Sequence, residues 1–303
     1  MNFDITILGS NSAIFSHGRH PTSQVVNVHN VHFLVDCGEG TQERLHENKV
    51  KWFKIDHIFI SHLHGDHYFG LIGLITTFNL LKRSNRLTIF GPNELKKIIA
   101  LQLKASNTLL NYELKFVATK DDEKRLLLDL PECLVYSIPL KHKLPTTGFL
   151  FLEKTEPRLL DLGKLSNYDI AKSDYKLLKQ GADVKDASGR KIKNSRVTTK
   201  ANSPRSYAFC SDTMYHLPLV KAIKNVDVLY HEATFLHEDL QRAKETTHST
   251  ALQAAQIAKK SNARKLLLGH FSSRYLDLSV LENEAKTVFK NVELAIEGAV
   301  FKV

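Results

Sequence analysis

The chain has 303 residues, of which 43% are hydrophobic, enough for one large domain or two small ones with a sizeable core. No apolar run approaches the ~18–20 residues of a membrane-spanning helix, and the first residues lack the basic and apolar stretches of a secretory signal. The formal net charge of +10 favours polyanionic partners such as nucleic acid. A basic surface that contacts only solvent is the alternative interpretation of this charge.

The cysteines indicate the environment of the protein. Cys37, Cys133 and Cys210 are odd in number and widely spaced. This pattern matches neither a disulfide framework nor a zinc finger. We therefore expect reduced thiols and a cytoplasmic protein.

Predicted strands and helices alternate along both halves of the chain. In the first half, strands are predicted at Phe3–Ile7, Val25–Val28, Val31–Val35, Ile55–Ile60, Leu87–Phe90, Leu134–Pro139 and Phe149–Leu152, with helices from Thr41 and over Leu71–Leu81. In the second half, strands are predicted at Tyr207–Cys210, Val226–His231 and Lys265–Gly269, with a helix over Ala251–Ser261 that Thr250 and Gln253 start as a capping box. Such alternation predicts an α/β fold whose sheets are covered by helices.

A basic segment, residues 153–200, separates the two halves. It holds 12 Lys or Arg against 7 Asp or Glu, so its net charge of +5 is half of the whole chain's excess. Large apolar residues are few, and we expect the segment to bury little core and to project from the body as an inserted arm. A disordered linker is the alternative interpretation.

A histidine-rich motif follows the predicted strand Ile55–Ile60. His62, His64, Asp66 and His67 fall within six residues. Imidazole nitrogen and carboxylate oxygen suit zinc, and manganese less strongly. His62 and His64 can converge on one ion while Asp66 and His67 turn toward a second. The motif therefore predicts a metal site, with a chance His-rich loop as the alternative.

Three more candidate ligands lie just after predicted strands. They are His142, Asp212 and His270. A lone histidine is more often an ordinary surface or core residue. Ligand sites in α/β sheets gather at strand ends, however, and the shared placement favours a common site for these three side chains.

These residues resemble the metallo-β-lactamase superfamily, whose His-x-His-x-Asp-His motif is complete in His62 to His67. Within it, the chain is similar to the ribonuclease Z family in the segments Asp36–Gln42, Pro139–His142, Ser211–Thr213, His231–Phe235, Thr247–Ala251 and His270–Tyr275. The resemblance covers nearly the whole chain. It implies a four-layer αβ/βα sandwich, one domain over residues 1–303, and an endonuclease that removes the 3′ trailer from precursor tRNA.

The same resemblance implies the ligands and partners. His62, His64 and His142 would bind one Zn²⁺ and Asp66, His67 and His270 a second, with Asp212 bridging the two and Asp36 bracing the metal loop. Each subunit would hold two Zn²⁺, or Mn²⁺ in their place. The segment 153–200 lies where the family has a tRNA-binding arm. The family also implies a homodimer, in which one subunit's arm presents tRNA to the other's active site.

The resemblance further implies catalytic roles. Asp66 would accept a proton from the attacking water. His248, oriented by Glu232, would protonate the leaving ribose 3′-oxygen. A helix-start residue is the alternative interpretation of His248, because Ser249 and Thr250 next to it are typical caps.

The sequence departs from the family pattern at two places. The arm lacks the family's Gly-Pro pair ahead of Tyr175, and the loop over residues 11–21 is unusual in containing Phe15, His17 and His20.

Two other functions are alternatives to a tRNA endonuclease. A small-molecule hydrolase on the same fold is one, but it would have no need of a basic arm. A non-catalytic nucleic-acid-binding relative is the other, but such a protein would be expected to have lost metal ligands.

Overall fold

The computed structural model describes residues 2–155, 157–200 and 203–303. The chain divides into two compact units. One is formed by Met1–Leu152 with Arg205–Val303, and the other by Glu153–Pro204. Each unit has its own apolar core.

The first unit contains two seven-stranded sheets. The strands of the first sheet are β1 (Phe3–Gly9), β2 (Ser23–Val28), β3 (Val31–Cys37), β4 (Ile55–Phe59), β5 (Leu87–Gly91), β6 (Leu114–Ala118) and β18 (Val300–Lys302), in the order β18-β1-β2-β3-β4-β5-β6. β1 and β3 each run antiparallel to β2, and β3 to β6 are parallel. The carboxyl ends of β1, β3, β4 and β5 therefore meet at one edge.

The second sheet repeats this arrangement in its parallel half. Its strands are β7 (Leu126–Asp129), β8 (Cys133–Pro139), β9 (Thr147–Glu153), β14 (Ser206–Cys210), β15 (Val228–Glu232), β16 (Lys265–Gly269) and β17 (Val292–Leu294), in the order β17-β16-β15-β14-β9-β8-β7. β14 to β17 are parallel, and β9 is antiparallel to β14. The carboxyl ends of β14, β15 and β16 again lie at one edge.

Helices α1 (Thr41–Glu47), α3 (Leu71–Leu80) and α4 (Asn93–Ala105) cover the outer face of the first sheet, and α8 (Pro218–Ala222), α10 (Ala251–Ser261) and α11 (Ser279–Lys286) cover that of the second. The short helices α2 (Gly65–Tyr68) and α9 (Leu240–Thr246) complete the unit. One apolar cluster fills the space between the sheets, and two others pack helices against the outer faces. The result is the expected four-layer helix–sheet–sheet–helix sandwich.

The predicted elements are present, and none of their ends moves by more than two residues. The capping box of α10 is confirmed, because the Thr250 hydroxyl accepts from the Gln253 amide while the Gln253 side chain accepts from the Thr250 amide. The sequence analysis assigned no element to several segments, among them the helices α4 and α11 and the strands β6 and β17. α4 and α11 each bury only two side chains, so the buried face of each helix is small.

The second unit is a small folded structure. It contains β10 (Leu159–Leu160), β11 (Val184–Lys185), β12 (Lys191–Ile192) and β13 (Thr198–Thr199), with α5 (Leu162–Leu165), α6 (Tyr175–Lys179) and α7 (Asn194–Val197). β10 pairs with β13, and β11 with β12. Six apolar side chains form its core: Leu165, Ile170, Leu178, Val184, Ile192 and Val197. The expectation that this segment buries little core is corrected, because apolar residues far apart in the sequence meet in one cluster.

Two further findings concern the environment of the chain. Within its described part, no helix combines the length and the apolar character needed to cross a membrane. The three cysteines are buried and form no disulfide with one another.

Candidate metal centre

The predicted site residues come together where the carboxyl ends of strands from both sheets meet. The first sheet supplies Asp36 at the end of β3 and the motif His62 to His67 after β4. The second sheet supplies Asp212 after β14 and His270 after β16. A carboxyl end must pass into a loop there, so polar side chains can leave the sheet without disrupting its core.

The first donor set is formed by His62, His64, His142 and Asp212, whose potential ligand atoms all lie within 4.8 Å of one another. His64 Nδ1 lies 2.9 Å from His62 Nε2 and 3.3 Å from His142 Nε2. Asp212 Oδ2 lies 3.6 Å from His62 Nε2 and 3.7 Å from His142 Nε2.

The second donor set is formed by Asp66, His67 and His270, with Asp212 again at its edge. Asp212 Oδ1 lies 3.1 Å from the Nε2 atoms of both His67 and His270. Asp66 Oδ2 lies 3.5 Å from the same two nitrogens. Asp212 therefore turns one oxygen toward each set and joins them.

Hydrogen bonds on the far side of the rings fix their orientation. In four of the histidines the Nδ1 atom faces away from the shared space and has a partner. His62 Nδ1 lies 3.1 Å from Ser61 Oγ, and His67 Nδ1 lies 2.7 Å from Asp36 Oδ2. His142 Nδ1 lies 2.9 Å from the Thr247 carbonyl, and His270 Nδ1 lies 3.0 Å from Thr234 Oγ1. These partners leave each Nε2 facing the shared space. Such outer contacts commonly select the tautomer and the direction of metal-binding histidines.

Backbone conformation contributes to the same convergence. Asp36, Asp212 and His270 have φ values of 56°, 57° and 56°. Residues other than glycine rarely adopt this left-handed region, although Asp and His do so more readily than most. The three residues turn sharply out of their strands, and this turn directs their side chains into the site.

The atoms present fit divalent metal ions. Among the described residues, the Nε2 atoms of His67 and His270 are buried without a hydrogen-bond partner. Ligand atoms about 2.0–2.1 Å from one zinc ion stand roughly 3.3–3.4 Å apart at the corners of a tetrahedron. The donor atoms here are spaced close to that, and nitrogen with carboxylate oxygen is a donor set that zinc accepts.

Electrostatics keep the bridging carboxylate charged. Burial disfavours the ionised form of Asp212, which is 2% exposed. The neighbouring rings, His270 first and then His67 and His62, outweigh burial and hold the pKa of Asp212 well below its usual range. An ionised carboxylate between two donor sets is the group required to offset the repulsion of two dications.

His248 and Glu232 form a pair beside the donor sets. His248 Nδ1 lies 2.9 Å from Glu232 Oε1, and the carboxylate is fully buried. Glu232 also accepts from the backbone amides of Thr213 and Ser249, which fixes its position. Burial disfavours the imidazolium of His248, but the charge and hydrogen bond of Glu232 outweigh burial and raise the pKa of His248 to about 9. His248 also approaches Asp212 and His270, within 4.8 Å between potential ligand atoms.

A cavity of about 530 Å³ opens over the two donor sets. Its lining includes Ser12, Ala13, Pro21, Glu39, Phe69, Lys143 and Thr246 besides residues of the donor sets and His248. The loop over residues 11–21 therefore borders the cavity, and the Ala13 amide donates to Asp66 Oδ2 at 2.7 Å. The Phe69 side chain is 61% exposed, so an apolar ring faces the solvent next to the polar site.

The sequence analysis named Asp36 but missed three other residues that hold the rings, Ser61, Thr234 and Thr247. Ser61 stands next to the motif, and its hydroxyl contacts both His62 and Asp36. Thr234 donates to Glu232 and contacts His270, so it connects the pair to the second donor set. Ser61 directly precedes the His62–His67 motif and Thr234 lies in the family segment His231–Phe235, so these positions are the signals that could have indicated them. Thr247 contacts His142 Nδ1 at 2.9 Å through both its carbonyl and its hydroxyl, and it begins the family segment Thr247–Ala251.

Replacing Asp36 with asparagine is expected to weaken metal binding by about 10–100-fold, as loss of such a partner typically does. Asp36 accepts from the Ser61 amide and contacts His67 Nδ1, so an amide NH₂ would face one of these donors. Competition with a chelator of known affinity measures the change. Asp122→Asn, at an exposed salt bridge with Arg125, is the matched control. Equal affinity of both variants and the parent chain would show that Asp36 does not support the site.

Solved structures with a similar fold define the class. Human tRNase Z, short form, aligns with a TM-score of 0.71 and 27% identity over 99% of each chain. The metallo-beta-lactamase fold protein YhfI from Bacillus subtilis aligns with a TM-score of 0.69 and 20% identity over 100% of each chain. The protein therefore has the metallo-β-lactamase fold, as its motifs predicted.

Sequence comparison then identifies the family. The chain is 46% identical to Ribonuclease Z of Cytophaga hutchinsonii, over 100% of this chain and 97% of the relative. A family model described as Anti-Pycsar protein Apyc1 also matches, but only over residues 3–109. With this identity over its full length, the chain belongs to the ribonuclease Z family.

Proposed function

We propose that the protein is a zinc-dependent endoribonuclease that removes the 3′ trailer from precursor tRNA. The observation that carries the proposal is the pair of donor sets joined by Asp212, in a chain of the ribonuclease Z family. The decisive experiment is incubation with a 3′-extended precursor tRNA, followed by mapping of the cut. Cleavage only of small phosphodiesters would contradict the proposal and favour a small-molecule hydrolase.

Two metal ions are part of this proposal. His62, His64 and His142 would hold one Zn²⁺, Asp66, His67 and His270 the other, and Asp212 both; Mn²⁺ is the alternative ion. When bound, such ions make water a better nucleophile near neutral pH and offset negative charge on phosphoryl oxygens. Metal analysis of the purified chain tests the count and the identity.

Asp66 is proposed as the proton acceptor for the attacking water. Its neighbours His67 and His270 outweigh the effect of burial and lower its pKa, so the side chain is an ionised carboxylate. Asp66 Oδ2 is held by the Ala13 amide, while the side chain remains 10% exposed to the cavity. A fixed carboxylate at the cavity wall can take a proton from water as its oxygen attacks phosphorus.

His248 is proposed as the proton donor to the leaving ribose 3′-oxygen. Glu232 holds its Nδ1 atom, so the opposite nitrogen, Nε2, is the one able to deliver a proton. His248 lines the cavity and is 13% exposed. The phosphorus–oxygen bond to the 3′-oxygen then breaks, the proton completes a hydroxyl on the tRNA, and the phosphate stays with the trailer.

The unit Glu153–Pro204 is proposed as the tRNA-binding arm. Its sequence carries half of the chain's excess positive charge. In a nuclease, such lysine and arginine side chains would contact the phosphates of the RNA. We also propose a homodimer in which the arm of one subunit presents tRNA to the active site of the other. A cytoplasmic location accords with the buried cysteines, which form no disulfide.

Removing charge from the arm without unfolding it tests this role. Lys172, in the turn before α6, and Lys176 and Lys179, in α6, are exposed, so their replacement by glutamine should leave the six-residue core intact. If all three contact phosphates, the salt slope of precursor-tRNA binding should fall by about 2–3, at 0.7–0.9 for each contact. Hydrolysis of a small phosphodiester should be unchanged.

The matched control removes the same charge elsewhere. Lys96, Lys97 and Lys104 are exposed on α4, and their replacement by glutamine changes the net charge equally. Binding measured over a range of salt concentrations separates the two variants. Equal slopes for both would contradict a specific role of the arm, whereas loss of small-substrate hydrolysis in a folded arm variant would indicate that the arm shapes the active site.

A further inference from the structure

A second cavity lies on the outer face of the first sheet, at the edge away from the metal centre. Its volume is about 260 Å³, and β1, β2, β3 and the segment 48–54 line it. Strand β3 contributes to both sites. His32, near its start, lines this cavity, and Asp36, four residues or about 13 Å farther along the strand, lies at the metal centre. α1 ends at Glu47, so here a loop and the short 3-10 helix Trp52–Lys54 follow the sheet instead of an α-helix.

The floor of this cavity is polar, whereas most of the residues that β3 to β6 place on the outer face belong to an apolar cluster. Asp4 pairs with Asn27, and Asn27 pairs with His32, so three polar side chains cross neighbouring strands in one row. Asn27 is buried and donates to Asp4 Oδ2 at 3.1 Å. Within the described chain, His32 Nδ1 is buried without a hydrogen-bond partner. Such an atom is available to hydrogen-bond a group that enters the cavity.

The rim of the cavity is positively charged. Lys49, Lys51 and Lys54 line it, and Asp4 is the single carboxylate among the lining residues. No salt bridge engages the three lysines in the described part of the structure. Their charge exceeds that of Asp4 by two, which matches a phosphate monoester with a charge of about −2 and three acceptor oxygens.

We infer that this cavity binds a phosphate monoester, with Lys51, Lys54 and His32 as its contacts. The cavity has room for the phosphate and part of an attached group, since one water occupies roughly 30 Å³. The phosphate could belong to a free nucleotide or to the 5′ end of an RNA, and the chemistry of recognition is the same for both. The inference concerns a site separate from the metal centre and does not depend on the proposed reaction.

Inorganic phosphate and a local signal test the site directly. The metal-loaded protein is titrated with inorganic phosphate while the ring nitrogen resonances of His32, assigned through His32→Gln, are followed by NMR. We expect a saturable shift, and an affinity about tenfold lower or worse in Lys51→Ala/Lys54→Ala, because each change removes a charge-assisted hydrogen bond. Phosphate bound at the metal centre does not mimic this result, because the readout is His32.

The control pair is Lys96→Ala/Lys97→Ala on α4, which loses the same charge away from the cavity. An unshifted His32 resonance, or an equal loss of affinity in both pairs, would overturn the inference. Hydrolysis of a small phosphodiester should be equal in the parent chain and in Lys51→Ala/Lys54→Ala. Failure of the protein to cleave tRNA would leave the phosphate titration, and therefore this inference, unaffected.

Two further comparisons identify the source of the phosphate. AMP is compared with adenosine, and precursor tRNA bearing a 5′-phosphate with the same RNA bearing a 5′-hydroxyl. A preference for the 5′-phosphate that Lys51→Ala/Lys54→Ala removes assigns the site to RNA ends. A preference for AMP alone assigns it to a nucleotide. If neither preference exists, the site does not bind phosphate monoesters and the inference is wrong.

Discussion

Replacing Asp66 with alanine is expected to reduce precursor-tRNA cleavage by more than about 10⁴-fold. Proton transfer by a positioned side chain contributes about 10²–10⁴-fold by itself. Asp66 Oδ2 also lies 3.5 Å from His67 Nε2 and from His270 Nε2, so the second donor set loses an oxygen in the same change. Single-turnover cleavage measures the rate, and elemental analysis measures the bound metal.

Asp66→Asn separates the two contributions. Asparagine keeps an oxygen of similar position but is a far weaker base than a carboxylate. We expect this variant to retain more metal than Asp66→Ala while remaining inactive, and both to bind precursor tRNA, since the arm is unchanged. Near-normal cleavage by a metal-loaded Asp66→Asn protein would show that the proton acceptor is another group.

Replacing His248 with alanine is expected to slow cleavage of precursor tRNA by about 10²–10⁴-fold. The reason is the leaving group, because a ribose 3′-oxygen needs a proton as its bond to phosphorus breaks. The metal content should stay unchanged, because both donor sets are complete without His248. A bis-nitrophenyl phosphodiester has a leaving group that needs no proton, so its hydrolysis should be nearly normal.

Glu232→Gln provides the matched test of the pair. Glutamine cannot place a charge against His248, but its oxygen can still accept from one of the amides that Glu232 now holds. We expect a smaller loss than in His248→Ala, again confined to the natural leaving group. An equal loss on both substrates in either variant would indicate a structural role for the pair at the start of α10.

The local part of the metal centre was predictable from the sequence. His62, His64, Asp66 and His67 follow one strand, and residues so close in sequence must share one loop whatever the rest of the chain does. The apolar periods also predicted the strands on which these residues depend, because alternation along a strand reflects which face is buried. Their placement just after predicted strands, and then the family motifs, indicated the candidates from the second sheet.

The distances between those candidates were decided by the tertiary structure. His142 and His270 lie far from the motif in sequence, and the packing of two sheets brings their Nε2 atoms to the shared space. Thr247 orients His142 through its backbone carbonyl and its hydroxyl, contacts that exist because the fold places Thr247 beside a histidine 105 residues away in the sequence. The core of the arm is a similar case, because its apolar residues are too scattered to form a period.

The sequence by itself therefore determined the fold class, the family and the metal-binding residue types, since these depend on local patterns and motifs. The tertiary structure alone decided that Asp212 presents one oxygen to each donor set, because that requires a left-handed backbone conformation just after β14 and the packing of the two sheets against each other. It alone also formed the cavity over Asp4, Asn27 and His32. These residues are unremarkable along the chain and become a polar row only when three strands pair.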